Sequence, residues 1–334
     1  MKYLAEFHSK SKLPSRSISA LTGFQTFSTE KIDAVRSLLK KRLQAVQCEG
    51  DCCIVAVGSY GRYEASAQSD LDVYVIYSKK MPSDTEKVIN EIIRDTAKKA
   101  GVKCSVGFES ISINAMYKNI GGKEDTNPSI TNRILFLLES ECLYNEPFFN
   151  DAYEKILRKY LKDIMKYDNK PPRFLLSDII RYYRTICVDY EFKTTEDNKE
   201  WAIRNIKLRF SRKGLYFGGI VILLNSLNKH NSTRYDYIIE NLRLPFADKI
   251  SHILLEQEMA DTYENILVLY ADFLREIGKK SVRNHLDNLK KVDREKDMVF
   301  HKLTEMSRQF NADLLGLLNA CKWGDKNYLD FLVL

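Results

Sequence analysis

Two acidic residues, Asp70 and Asp72, follow closely behind a glycine–serine pair, Gly58-Ser59. The intervening residues run Gly58-Ser59-Tyr60-Gly61-Arg62-Tyr63-Glu64-Ala65-Ser66-Ala67-Gln68-Ser69-Asp70-Leu71-Asp72. Glycine lets a backbone turn sharply and lets a phosphate approach the amide groups closely, and the Ser59 hydroxyl can donate to a phosphate oxygen. Asp70 and Asp72 are spaced as alternate residues of a strand, so both carboxylates point to one face. Two carboxylates that close repel each other unless a cation lies between them. Hard oxygen ligands with room for water and phosphate oxygens suit Mg²⁺ or Mn²⁺. A phosphate-cradling turn beside such a pair meets the needs of in-line phosphoryl or nucleotidyl transfer. A bland reading also exists: a glycine-rich hairpin whose acids only solubilise a strand. The co-occurrence of Gly-Ser, Gly-Arg, Glu64 and Ser69-Asp70-Leu71-Asp72 between two β-rich runs weighs against it.

The elements that must position these residues are legible around them. Ser28-Thr29-Glu30 opens a helix in which Ile32, Val35, Leu38, Leu39 and Leu43 recur at helical spacing. Cys52–Val57 is a β-branched run ending in the glycine turn, and Leu71–Tyr77 is a second strand. Residues 85–100 have helical period and stop at Gly101. Val102–Phe108 is a third strand candidate, and residues 130–144 read as a helix. From residue 151 onward nearly every segment reads as helix: 151–167, 172–191, 199–227, 234–240, 246–277 and 280–318. The expected fold class is α+β, a small mixed sheet domain at 31–150 followed by an all-α domain at 151–334, with residues 1–30 as an N-terminal arm.

The motif resembles the signature of the DNA polymerase β-like nucleotidyltransferase superfamily, a Gly-Ser turn followed by Asp-x-Asp. Gly61-Arg62, Glu64 and Ser69 make it similar to the branch containing the uridylyltransferase of the PII signalling protein and the glutamine synthetase adenylyltransferase. A fainter likeness covers Ser129–Glu146, with Arg133 and Leu138-Glu139-Ser140, and Asn205-Ile206-Lys207 before Gly214. The resemblance implies that Asp70 and Asp72 hold Mg²⁺ or Mn²⁺ and that Gly58 and Ser59 hold the terminal phosphates of a nucleoside triphosphate such as ATP. It also implies transfer of a nucleoside monophosphate to an acceptor hydroxyl, on protein in those relatives. Arg62 and Lys207 join Gly58 and Ser59 as nucleotide-binding candidates, although Arg62 with Glu64 also reads as a salt bridge pinning the loop. Members usually supply a third carboxylate from a following strand. The run Val102–Phe108 has none at its centre, and Glu109, at its end, is the candidate. Two alternatives stand beside the protein-modifying enzyme: a nucleotidyltransferase acting on a nucleotide, small molecule or RNA, and a nucleotide-binding sensor without catalysis.

The chain's bulk properties bound these readings. Its 334 residues suffice for two domains, and 44% hydrophobic and 29% charged residues support a buried core over disorder. A net charge of +7 fits an anionic ligand without favouring nucleic acid. Seven scattered cysteines and a polar N-terminus indicate free thiols and a cytoplasmic location. Cys48, Cys52 and Cys53 cluster, but no second pair or nearby histidine completes a zinc set. The longest apolar stretch, Gly214–Leu224, is too short for a bilayer and reads as a buried helix. Arg181 and Arg184 read as an ordinary basic face, and the five histidines are dispersed.

Overall fold

A computed structural model describes residues 2–44, 52–104, 108–162, 164, 170–197, 199–324 and 327–332. In chain order the elements are α1 (Leu4–Lys10), α2 (Ser15–Leu43), β1 (Cys52–Val57), α3 (Gly58–Gly61), β2 (Asp70–Tyr77), α4 (Ser83–Lys99), β3 (Lys103–Cys104), β4 (Glu109–Ser112), α5 (Ile113–Tyr117), α6 (Asn127–Glu139), β5 (Glu141–Tyr144) and α7 (Glu146–Leu161). There follow α8 (Arg173–Thr195), α9 (Trp201–Lys207), α10 (Lys213–Asn225), α11 (Asn231–Leu242), α12 (Phe246–Glu256), α13 (Asn265–Gly278), α14 (Lys280–Asn288), α15 (Met298–Ala320) and α16 (Leu329–Leu332). The fold is α+β, as the order of patterns implies. Two compact units form, one of residues 23–162 and one of residues 1–22 with 163–334. No helix among the described residues is long and apolar enough to cross a membrane.

The unit of residues 23–162 is built on a mixed sheet. β1 lies between β2 and β5, antiparallel to both, while β3 and β4 pair parallel to successive parts of β2. All six residues of β1 are buried, which is why this strand reads as an unbroken apolar run instead of alternating. β2 does alternate: Leu71, Val73 and Val75 are buried beneath α2 and α4, and Asp70 and Asp72 are exposed on the other face. From α2 the core receives Ile32, Val35, Leu39 and Leu43, and from α4 Ile89, Ile93 and Ala97, each set at the helical spacing that makes one apolar stripe. Gly101 ends α4 in the left-handed conformation (φ 64°). Its N–H bonds Lys98 O and that of Val102 bonds Ala97 O, the paired hydrogen bonds of a Schellman stop.

Three expectations change here. The segment 130–144 is not one helix: α6 stops at Glu139, and Glu141–Tyr144 becomes edge strand β5 on β1. The third strand candidate is seen as β3 and β4, with residues 105–107 outside the described set. Residues 2–22, expected as part of an arm or a short helix, are largely helical, and α2 begins far upstream of Ser28, at Ser15.

The second unit is helical. Phe210 stacks on Phe273 at 4.4 Å, and Phe246, Tyr270 and Phe310 complete an aromatic core. α10 is buried almost throughout. The segment 246–277 divides into α12 and α13 where Glu258 takes a left-handed conformation (φ 57°). The segment 280–318 divides where the Asp297 carboxylate caps α15 by accepting from Phe300 N at 2.7 Å. α1 docks on α12: the Asp248 carboxylate accepts the backbone N–H of Lys2, Tyr3 and Leu4, each at 2.9 Å.

Candidate active site

β1 and β2 bring the site together. Their antiparallel register sets Val57 opposite Asp72, so the residue after Val57, Gly58, arrives beside the Asp72 carboxylate. A Cβ on Gly58 would lie 2.5 Å from Asp72 Oδ2, and its φ of 69° is one that side-chain-bearing residues rarely adopt. The positive φ calls for glycine at this position, and a side chain there would push the Asp72 carboxylate aside. Ser59 is half-exposed in the one-turn helix α3. Asp70 and Asp72 are both exposed on the same face of β2 as that turn. Four of the residues singled out from sequence, Gly58, Ser59, Asp70 and Asp72, therefore meet at one edge of the sheet.

Arg62 and Glu139 anchor the turn from below. Arg62 Nε donates to Glu64 Oε2 at 2.8 Å, and Arg62 Nη1 donates to Glu139 Oε2. The other oxygen of Glu139 accepts the Gly58 N–H at 3.0 Å. All three side chains of this group are at most 9% exposed. The guanidinium thus compensates two buried carboxylates, the condition under which buried charge is tolerated. Arg62 forms the loop-pinning bridge to Glu64, with Glu139 as an additional partner. The Gly58 amide is committed to Glu139, which leaves Ser59 to represent the turn toward a ligand. Glu139 entered the sequence analysis only through the faint family likeness of Leu138-Glu139-Ser140 and was given no role: it lies 81 residues from Gly58, and no local spacing links them. Gly61 packs against the same region, because a Cβ there would fall 1.8 Å from Glu139 O. Ser28 on α2 adds a further anchor, its Oγ accepting Ala65 N at 3.0 Å.

The carboxylates shape their surroundings electrostatically. Burial, with Asp70 adding to it, pushes the Tyr60 phenol up to about 12. Burial, with Asp72 and Asp70 adding to it and Arg94 opposing, pushes the Cys104 thiol up to about 11. Both groups therefore stay protonated and neutral beside the acids at neutral pH.

Glu109 and Lys207 are placed differently. Glu109 opens β4 in register with Tyr74, two residues past Asp72, or about 6–7 Å along the strand. It is exposed and accepts a hydrogen bond from Asn132 Nδ2 at 3.1 Å. Among the described residues no group of three or more His, Cys, Asp or Glu side chains is arranged to hold a metal ion. Lys207 belongs to the helical unit, at the end of α9, and acts electrostatically on Asp287. Of the clustered cysteines, Cys52 and Cys53 are buried on β1 and form no disulfide, while Cys48 lies outside the described residues.

No curated protein matches this chain. A family model described as putative nucleotidyltransferase DUF294 matches residues 11–111, a span that holds Gly58, Ser59, Arg62, Asp70, Asp72 and Glu109 and excludes Lys207. Together with the geometry of β1, the Gly-Ser turn and β2, this match supports nucleotidyltransferase relationship in the broad sense.

Proposed function

We propose that the chain is a metal-dependent nucleotidyltransferase that moves a nucleoside monophosphate from a nucleoside triphosphate to an acceptor hydroxyl. The observation that carries the reading is the pairing of Val57 with Asp72, which puts two exposed carboxylates on one strand face beside the Gly58-Ser59 turn. The donor set fits Mg²⁺ or Mn²⁺: oxygen ligands on an open face leave coordination positions for water and phosphate oxygens. Asp70 and Asp72 would hold the ion, which supplies charge stabilisation at the phosphoryl group and the leaving pyrophosphate. Ser59 orients the terminal phosphates, while Arg62 and Glu139 keep the turn rigid so that this orientation is set before the nucleotide arrives. By the sequence likeness to enzymes that modify PII and glutamine synthetase, the acceptor proposed is a protein hydroxyl.

The deciding experiment incubates the chain with each α-labelled nucleoside triphosphate and Mg²⁺ or Mn²⁺, with and without cell lysate. Label on protein together with pyrophosphate release is the expected result. Label on RNA or a small product would keep the chemistry and replace the acceptor. Absence of pyrophosphate release under all conditions, with tight nucleotide binding, would favour a nucleotide sensor. What supports that second reading is the sequence run Val102–Phe108, which carries no acid at its centre.

A further inference from the structure

The helical unit holds a second constellation that the proposed reaction does not use. Between α9 and α10, residues Leu208–Arg212 form a π-turn, an insertion that re-aims side chains relative to an α-helix and recurs at functional positions. Arg209 lies within it and Lys213 directly follows it, and both side chains are half-buried. Arg209 Nε donates to Asn205 Oδ1 at 2.7 Å and Nη1 to Ser307 Oγ at 3.4 Å, and Lys213 Nζ donates to Asn311 Oδ1 at 2.7 Å. Every one of these acceptors is neutral. The ionisable groups that act on Arg209 are Arg308 and Tyr183, and those that act on Lys213 are Arg209 and Cys187. Among the described residues no carboxylate acts on either of them. Burial and the like charge of the neighbouring cation lower the pKa of both groups. The next basic residues along α9 contrast with this pair: Arg204 is beside Glu200, and Lys207 acts on Asp287.

Structural cations in protein interiors are normally compensated by acids, since desolvating a charge without a counter-charge is costly. Here neutral oxygens orient two cations without neutralising them. We propose that Arg209 and Lys213 form a binding site for a small polyphosphate anion, with Asn205, Ser307 and Asn311 holding the cations in place. The guanidinium fork and the ammonium supply the donors that phosphate oxygens accept best. Arg308 is already paired with Glu305, so the two cations left to match are Arg209 and Lys213, and two or more linked phosphates supply that charge where a single carboxylate does not. The assignment is independent of the reaction proposed for Asp70 and Asp72.

The test titrates the full chain with inorganic tripolyphosphate in excess chelator, by calorimetry at low salt. Binding should persist in the Asp70→Asn, Asp72→Asn double variant and weaken about tenfold or more in Arg209→Gln, Lys213→Gln, the loss expected for charge-assisted hydrogen bonds. Asn311→Asp guards against misfolding of that variant. It sets a carboxylate against Lys213 Nζ with almost no change of shape, and should raise the melting temperature while weakening tripolyphosphate about tenfold. Failure of the wild type to bind, or unchanged binding in both Asn311→Asp and the Arg209, Lys213 variant, would overturn the assignment. So would displacement of tripolyphosphate by single-stranded RNA with hydroxyl ends at equal phosphate concentration, because that result would assign the cations to a nucleic-acid backbone.

Discussion

Arg62 has a carboxylate on each side, and this fixes what its removal should do. Arg62→Ala leaves Glu64 and Glu139 buried without their counter-charge, a change that costs about 3–5 kcal/mol in comparable buried pairs. We expect a fall in melting temperature that is partly relieved when Glu139→Gln removes one of the two negative charges. A melting temperature equal to wild type in Arg62→Ala would mean that the triad does not anchor the turn. Asp70 and Asp72 should behave in the opposite way. They are exposed and of like charge, so Asp70→Asn with Asp72→Asn should leave the melting temperature unchanged or slightly higher. The same double change should remove transfer, a barrier increase on the order of several kcal/mol for loss of metal-assisted charge stabilisation. Retained transfer would dismiss the pair as ligands. At this scale the sequence was readable wherever chemistry depends on local spacing: Gly58, Ser59, Asp70 and Asp72 announce one another across fifteen residues. Glu139 was hidden because its contact with Gly58 is made through the pairing of β1 with β5, and a buried Glu has no distinctive neighbours in the chain.

Elements were legible in proportion to their periodicity. β1 agrees with its sequence run residue for residue, and α4 with its stripe of isoleucines, because burial on both faces and burial on one stripe leave different patterns. β5 failed the same reading. Four residues, Glu141-Cys142-Leu143-Tyr144, are too few to establish a period of two, and the apolar run Ile134-Leu135-Phe136-Leu137-Leu138 of the helix ahead leads almost straight into them. The stop that separates them is Ser140, whose Oγ bonds back to Phe136 O at 2.6 Å. Such a turn-ending bond is indistinguishable in sequence from a serine inside a helix. The docking of α1 on α12 also lay outside local pattern, since it depends on Asp248 and on His252, which stacks on Tyr3 at 4.0 Å. His252 is buried, and that burial lowers its pKa below the ordinary 6.5, with Lys229 and Lys2 acting in the same direction and Glu256 and Asp248 opposing. The folded state therefore holds this ring neutral at pH values where the unfolded chain already binds a proton. Its contribution to stability is present above about pH 6.5 and is lost progressively as pH falls below that value. Melting temperatures measured from pH 8 to pH 5 should drop more steeply for wild type than for His252→Asn, and parallel curves would remove His252 from the pH response.

At the scale of the whole molecule the division of the chain follows core membership and not composition. A boundary near residue 150 looks natural in sequence because strand-rich segments end there, yet α7 runs on to Leu161 and contributes Ala152, Tyr153, Ile156, Leu157, Tyr160 and Leu161 as buried side chains. Tyr153 donates its hydroxyl to Leu137 O at 3.1 Å, and Arg133 Nε donates to Tyr160 OH, so α7 closes the unit that contains the sheet. The upstream boundary shifts for the same reason: Phe27 packs on the sheet core and Ser28 holds the Ala65 amide, while Leu4 and Phe7 are buried in the other unit. A fragment of residues 23–162 retains every residue of the sheet core and should unfold in one cooperative transition. A fragment of residues 31–150, the limits that composition suggests, gives up Phe27 and most of α7. Each large apolar side chain lost from a core removes about 1.5–3 kcal/mol, and whole domains are stable by only about 5–15 kcal/mol. Loss of Tyr153, Ile156, Leu157 and Leu161 alone therefore removes about 6–12 kcal/mol, comparable to the whole stability of such a unit. Circular dichroism and urea titration of the two fragments should show a sigmoidal transition for the longer and a shallow, non-cooperative one for the shorter. Equal cooperativity would mean that α7 is dispensable to the sheet unit and that residue 150 is the working boundary after all.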